Sequence, residues 1–156
     1  MSYSHNQKGF SLVEILVTMI ILAIGLLGLA TLQTISLKNV NNSQFHSVAT
    51  IYAYDMAERM RSNRLGVGQG SYNGITGAET DPNCTGCNPS DMAQLDAFQW
   101  NDLIKQNPNK GGLPEGVGTV TKNGNLYQIK IAWKEQGRDS TGGTVATTDF
   151  TLSVQI

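Results

Sequence analysis

Residues 10–32 form an apolar run in which Glu14 is the only charged side chain. Phe, Leu, Val, Ile, Met, Ala and Gly fill it, with Ser11, Thr18 and Thr31 as mild polar entries. No proline interrupts it. As a helix it spans about 34 Å, enough to cross the hydrocarbon core of a bilayer. The basic flank ahead of it, Lys8 and the amino terminus, favours a cytoplasmic N-terminus and an exported C-terminal part.

Glu14 needs an explanation. A carboxylate at bilayer centre costs roughly 2.5–3.5 kcal/mol on insertion scales. Glu14 lies only about 6 Å along the helix from Phe10, so it stays near the headgroups at lower cost. In a dry assembly of helices that escape closes, and the carboxylate needs a cationic partner. Two plainer readings stand beside this one. Glu14 could hydrogen-bond another membrane helix. The run could also be an ordinary secretory signal, with Gly28-Leu29-Ala30 as a small-x-small cleavage site.

The order Lys8-Gly9-Phe10-Ser11-Leu12-Val13-Glu14, followed at once by the apolar run, resembles the processing site of type IV pilins and pseudopilins. The resemblance implies a leader at residues 1–9, cleaved after Gly9 by prepilin peptidase, which then methylates the amine of Phe10. It also implies that Glu14 of one subunit meets the Phe10 amine of its neighbour and sets the axial register. Cleavage itself makes the charge with which Glu14 can pair.

Beyond Leu32 the helical pattern continues. Phe45, Val48, Ala49, Tyr52, Met56 and Met60 recur at spacings of three and four, one stripe of an amphipathic helix ending near Arg64. Asp55–Arg59 and Glu58–Arg61 are spaced as ion pairs on it. Asn39, Asn41 and Asn42 weaken the middle and predict a kink at 39–43. Gly66 and Gly68 then end the pattern, and residues 65–90 read as a loop. Asp91, with Gln94 three residues on, is expected to cap a short second helix over about 91–107, its face carried by Ala93, Ala97, Trp100 and Ile104.

Residues 111–156 read as antiparallel sheet. Tyr127, Ile129, Ile131 and Trp133 alternate with more polar neighbours, as do Phe150, Leu152, Val154 and Ile156. Asn123-Gly124 predicts a hairpin turn of type I′ ahead of Tyr127. The domain plan is a leader (1–9), a transmembrane or filament-core helix (10–32), its amphipathic half (33–64), an αβ-loop with a short helix (65–110), and a sheet (111–156). The fold class is α+β, a long helix packed on a small antiparallel sheet, which is the architecture of the pilin fold.

Several further stretches resemble the PilV group of minor pilins. These are Gly25 to Ala30, Ala53 to Arg64, Asp96 to Trp100, and Gly111-Gly112-Leu113-Pro114. Two departures from major pilins point the same way. The helix lacks their proline, and both cysteines precede the sheet. The resemblance implies a non-enzymatic minor subunit that initiates or modifies pilus assembly. It would sit in the inner membrane as a single-pass protein with a periplasmic C-terminal domain, and later in the filament. Its partners would be prepilin peptidase, other minor and major pilins, the inner membrane and the assembly machinery. A type II secretion pseudopilin is the alternative within the class.

The two cysteines form Cys84-Thr85-Gly86-Cys87. A redox site wants such a motif between a strand and a helix N-terminus. With Pro82 before it and Pro89 after it, a local disulfide worth about 2 kcal/mol is the expectation. A membrane-anchored periplasmic thiol–disulfide enzyme is the rival reading. Zinc would want four ligands, and His5 and His46 sit at no suitable spacing, so no metal or cofactor is expected. A net charge of −1 with scattered signs argues against nucleic acid as the main partner. Seventeen glycines mark loops, and Gly66-x-Gly68-x-Gly70 lacks the strand and helix that a nucleotide fingerprint needs.

Overall fold

The computed structural model describes residues 11–136 and 145–156. They form helix α1 (Leu12–Ser62), a short helix α2 (Arg64–Gly68), helix α3 (Pro89–Lys105), a single 3₁₀ turn at Pro108–Lys110, and strands β1 (Val117–Asn123), β2 (Leu126–Gln136) and β3 (Val145–Val154). The fold class is α+β, as expected. The chain divides into two units, residues 1–40 and 41–156.

Within the first unit the described residues are Ser11 and helix. Its side chains are exposed all round, Leu12 at 75% and Leu27 at 70%. A helix apolar on every side has to be covered by something outside its own chain. Helix α1 continues through residues 39–43. The asparagines there lower propensity by only a few tenths of a kcal/mol each, too little to stop a long helix.

In the second unit the amphipathic half of α1 packs through Ala49, Ala53, Met56, Ala57 and Met60, all fully buried. Phe45, Val48 and Tyr52, read from the same stripe, are only partly covered. Against this face lie α3 and an antiparallel sheet of order β1-β2-β3. Tyr127, Ile129, Ile131 and Trp133 of β2 point into the core. Ala93, Ala97, Trp100 and Ile104 of α3 meet them there, as their spacing predicts.

Trp100 is the junction of the three layers. Its indole donates to the Tyr52 carbonyl of α1 at 2.8 Å. Its ring presses on β1 at Gly118, where a Cβ would stand 2.3 Å from ring carbon. Only glycine fits under it. Asn101 fastens the same strand, accepting from the Gly118 N–H at 2.8 Å and donating to its carbonyl at 3.1 Å.

Local corrections follow from capping chemistry. Helix α1 stops at Ser62, two residues before the expected end, because Asn63 leaves helical geometry (φ −112°, ψ 60°) and caps α2 by accepting from Gly66 N–H. Gly66 and Gly68 therefore belong to a helical turn, so residues 65–90 are not wholly loop. Helix α3 begins at Pro89. Its N-cap is Asn88, whose side chain accepts from Ser90 and Asp91 N–H, and Asp91 sits in the first turn instead. Proline lacks the N–H that a first helical position would leave unpaired. The hairpin turn is also displaced by one residue. Asn123 pairs with Leu126, so Gly124-Asn125 is the centre. Gly124 has φ +61° and Asn125 has no positive φ, which fits a type II′ turn.

A polar cluster ties the αβ segment to both helices. Tyr72 donates to Asp96 at 2.5 Å, and Arg59 reaches Asp96 at 3.3 Å and Asp55 at 3.0 Å. Asn63 donates to the Tyr72 oxygen at 3.1 Å and to the Pro89 carbonyl at 2.8 Å. Burial, then the hydrogen bond to Asp96, push the Tyr72 hydroxyl well above its ordinary value of 10.0.

Replacing Trp100 with alanine should cost about 3–5 kcal/mol of unfolding free energy in detergent-solubilised chain. Denaturant unfolding checks this, and a loss below 1 kcal/mol would remove Trp100 from the role assigned to it. The Tyr72 shift gives an alkaline test. Its folded pKa exceeds its unfolded value, so its contribution is complete below about pH 10 and is lost as pH rises toward the folded value. Stability should fall above pH 10, and Tyr72→Phe should flatten that fall.

Candidate functional site

The candidate site is the start of α1. Gly9 and Phe10, the expected cleavage pair, lie outside the described residues. Ser11 is the last residue before the helix, and Leu12 the first within it. Glu14 stands in the first turn with its side chain exposed. Its backbone N–H and that of Ile15 both donate to the Ser11 carbonyl, at 3.0 and 3.3 Å.

This placement gives Glu14 a second electrostatic reason to be where it is. The first turn is the positive end of the helix dipole, where a carboxylate is stabilised by about 0.3–1 kcal/mol. Ser11 and Glu14 also have the N-cap and N3 spacing of a capping box. Ser11 is the residue that sequence reading passed over as a mild polar entry. The signal was present in the Ser-x-x-Glu order directly ahead of an apolar run.

The helix behind it is long and apolar enough to cross a membrane, with mean hydropathy 2.7 over its most apolar window. None of that window is buried within the chain. Thr18, Thr31 and Thr34 satisfy their hydroxyls on the carbonyls of Ile15, Leu27 and Ala30, so these polar entries present little unmet demand to an apolar surrounding. Gly25 and Gly28 lie within the helix, and a Cβ on either would meet no other part of the chain.

The second set of expected residues stands apart from the first. Cys84 and Cys87 lie in the segment before α3 with Cα atoms 5.2 Å apart, a separation that a disulfide spans. Pro89 does not part the motif from the helix, as sequence reading supposed, because it is the first helical residue. Cys87 is directly followed by the N-cap Asn88. No named strand precedes the motif among the described residues, where only the isolated bridge of Ile75 to Val120 occurs. Among the described residues no group of three or more His, Cys, Asp or Glu stands together as a metal site would require.

The arginines near the end of α1 have structural partners. Arg59 bridges α1 to α3 through Asp96 and Gln99, while Arg61 pairs with Glu58. The links from Arg59 to α3 join residues far apart in the chain, so helical spacing could find only its pair with Asp55.

Neither curated proteins nor solved structures provide a significant match to this chain. Residues 4–30 match the family model described as the prokaryotic N-terminal methylation motif. That stretch contains Gly9, Phe10, Ser11 and Glu14 together with most of the apolar run. The chain thus carries a type IV prepilin-like N-terminus joined to an apolar helix and an α+β domain.

Proposed function

We propose that this chain is the precursor of a minor type IV pilin, most like the PilV group, that takes part in initiating or modifying pilus assembly. The observation carrying the proposal is the coincidence of the methylation motif at residues 4–30 with an uncovered apolar helix whose sole early charge, Glu14, lies exposed in the first turn.

On this reading prepilin peptidase cleaves after Gly9 and methylates the amine of Phe10. The helix first anchors the protein in the inner membrane, with its N-terminus cytoplasmic and its C-terminal domain periplasmic. It then moves into a filament among other minor and major pilins. There Glu14 pairs with the Phe10 amine of a neighbour, because a carboxylate inside a dry helical core requires a cation. Cys84 and Cys87 form a disulfide that pins the segment ahead of α3.

Mass spectrometry of the mature N-terminus tests the processing step. A methylated Phe10 is expected, and a start at Thr31 would overturn the proposal in favour of signal peptidase. Glu14→Ala tests the assembly step. Removing one member of a buried pair costs about 3–5 kcal/mol, so incorporation into filaments should fall more than about a hundredfold with membrane insertion unchanged. Unaltered incorporation would remove the role proposed for Glu14. Which filament system co-purifies with the detergent-extracted protein separates a pilin from a type II secretion pseudopilin.

The position of Cys87 directly before the cap of α3 favours one second reading, a membrane-anchored thiol–disulfide enzyme, because a helix N-terminus lowers a thiol pKa. Turnover of a model disulfide by the parent chain and by Cys84→Ser decides it. Equal, negligible rates are expected, and turnover lost in the variant would support the enzyme.

A further inference from the structure

The two edges of the sheet are finished differently. Antiparallel pairing turns the backbone groups of alternate residues outward. On β1 these are Gly118, Val120 and Lys122, and the chain itself meets them. Asn101 takes the Gly118 N–H and donates to its carbonyl. Ile75 accepts from Val120, and Gly74 and Ile75 donate to the Val120 carbonyl. Asn73 accepts from the Lys122 N–H at 2.8 Å. That edge is closed.

The same alternation, carried through the register of β2 with β3, turns Thr147, Asp149, Thr151 and Ser153 outward on β3. Among the described residues no hydrogen bond reaches their backbone groups. The usual protections of an edge are lysines, prolines and inward charges. Val145–Val154 contains no lysine or proline, and its single charge is Asp149.

The core is also unfinished on this side. Tyr127, Ile129, Ile131 and Trp133 of β2 are at most 2% exposed, whereas Phe150, Leu152 and Val154 of β3 are only partly buried. On the other face Asp149 lies 3.6 Å from Lys130, with both side chains about half exposed (47% and 49%).

We infer that the β3 edge is a docking site for an extended segment of a different protein chain, which adds a fourth strand to the sheet. Its alternate apolar side chains extend the Phe150–Leu152–Val154 row, and on the opposite face it sets a cation across from Asp149. Backbone pairing supplies the attachment, and side chains on the two faces supply the selectivity.

A second copy of this chain fits the edge less well. Its β1 is already occupied, so it could offer only β3. That strand carries no cation to set across from Asp149, the single charge of Val145–Val154, and like charges facing each other across paired strands are unfavourable.

Hydrogen exchange of the full-length chain in detergent tests the inference. The probe is a short peptide of alternating threonine and valine with a central lysine. The amides of Thr147, Asp149, Thr151 and Ser153 should exchange fast in the free chain and slow at least about tenfold with saturating peptide. Those of Thr148, Phe150 and Leu152 should be protected throughout. Thr151→Pro should abolish the slowing and spare the pairing to β2, since the lost N–H faces outward. Asp149→Lys should weaken the lysine peptide and accept one with central glutamate. Outward amides already protected in the free chain, or unmoved by the peptide, would overturn the inference. So would a dimer in sedimentation that Thr151→Pro dissolves, which would make the occupant a second copy. N-terminal processing does not enter these readouts, so they stand or fall apart from the filament proposal.

Discussion

The folded part of the chain depends on one strip of α1, the face carrying Ala49, Ala53, Met56, Ala57 and Met60. Three alanines spaced four residues apart leave a shallow groove in the helix surface, and the flexible methionines fill the irregular space beside it. Trp100 closes the contact from α3 and reaches β1 through Gly118. One large ring therefore touches all three layers, which Asn101, Arg59 and the shared core also hold together. The stripe was visible as periodicity, but Ala53 and Ala57 were not singled out, because small residues carry little hydropathy signal.

The same helix meets two different surroundings. Up to Leu32 its surface is apolar on all sides and uncovered within the chain. Further on it is two-faced, and its inner face is occupied by its own domain. An apolar surface without an internal partner is a statement about what must surround it. The methylation motif at its start and Glu14 in its first turn give that statement a chemical direction. The dipole favours a carboxylate at this helix end even before any neighbour arrives. The capping-box spacing with Ser11 and the helix dipole thus favour a carboxylate at the same residue.

Periodic features were legible in the sequence. The alternation in β2, the apolar face of α3 and the ion-pair spacing of Asp55 with Arg59 follow from side-chain direction along regular elements. End points were less legible. Asn63 and Asn88 decide where helices stop and start through hydrogen bonds that compete closely with the neighbouring choices, and Asp91 offered an equally sound cap on paper. The polar cluster of Arg59, Asn63, Tyr72 and Asp96 left no trace in spacing, since its members come from four segments.

By itself the sequence determined the apolar helix, the Gly9–Phe10 and Glu14 motif, and the α+β order of elements. These are local properties, set by composition, period and short-range spacing. Only the tertiary structure decided which sheet edge is closed and which is open. That outcome turns on Asn73, Ile75 and Asn101 reaching β1 from distant parts of the chain, while among the described residues no hydrogen bond reaches the outward backbone groups of β3. Hydrogen-bond satisfaction between remote segments has no period and no motif, so it is settled only when the chain has folded.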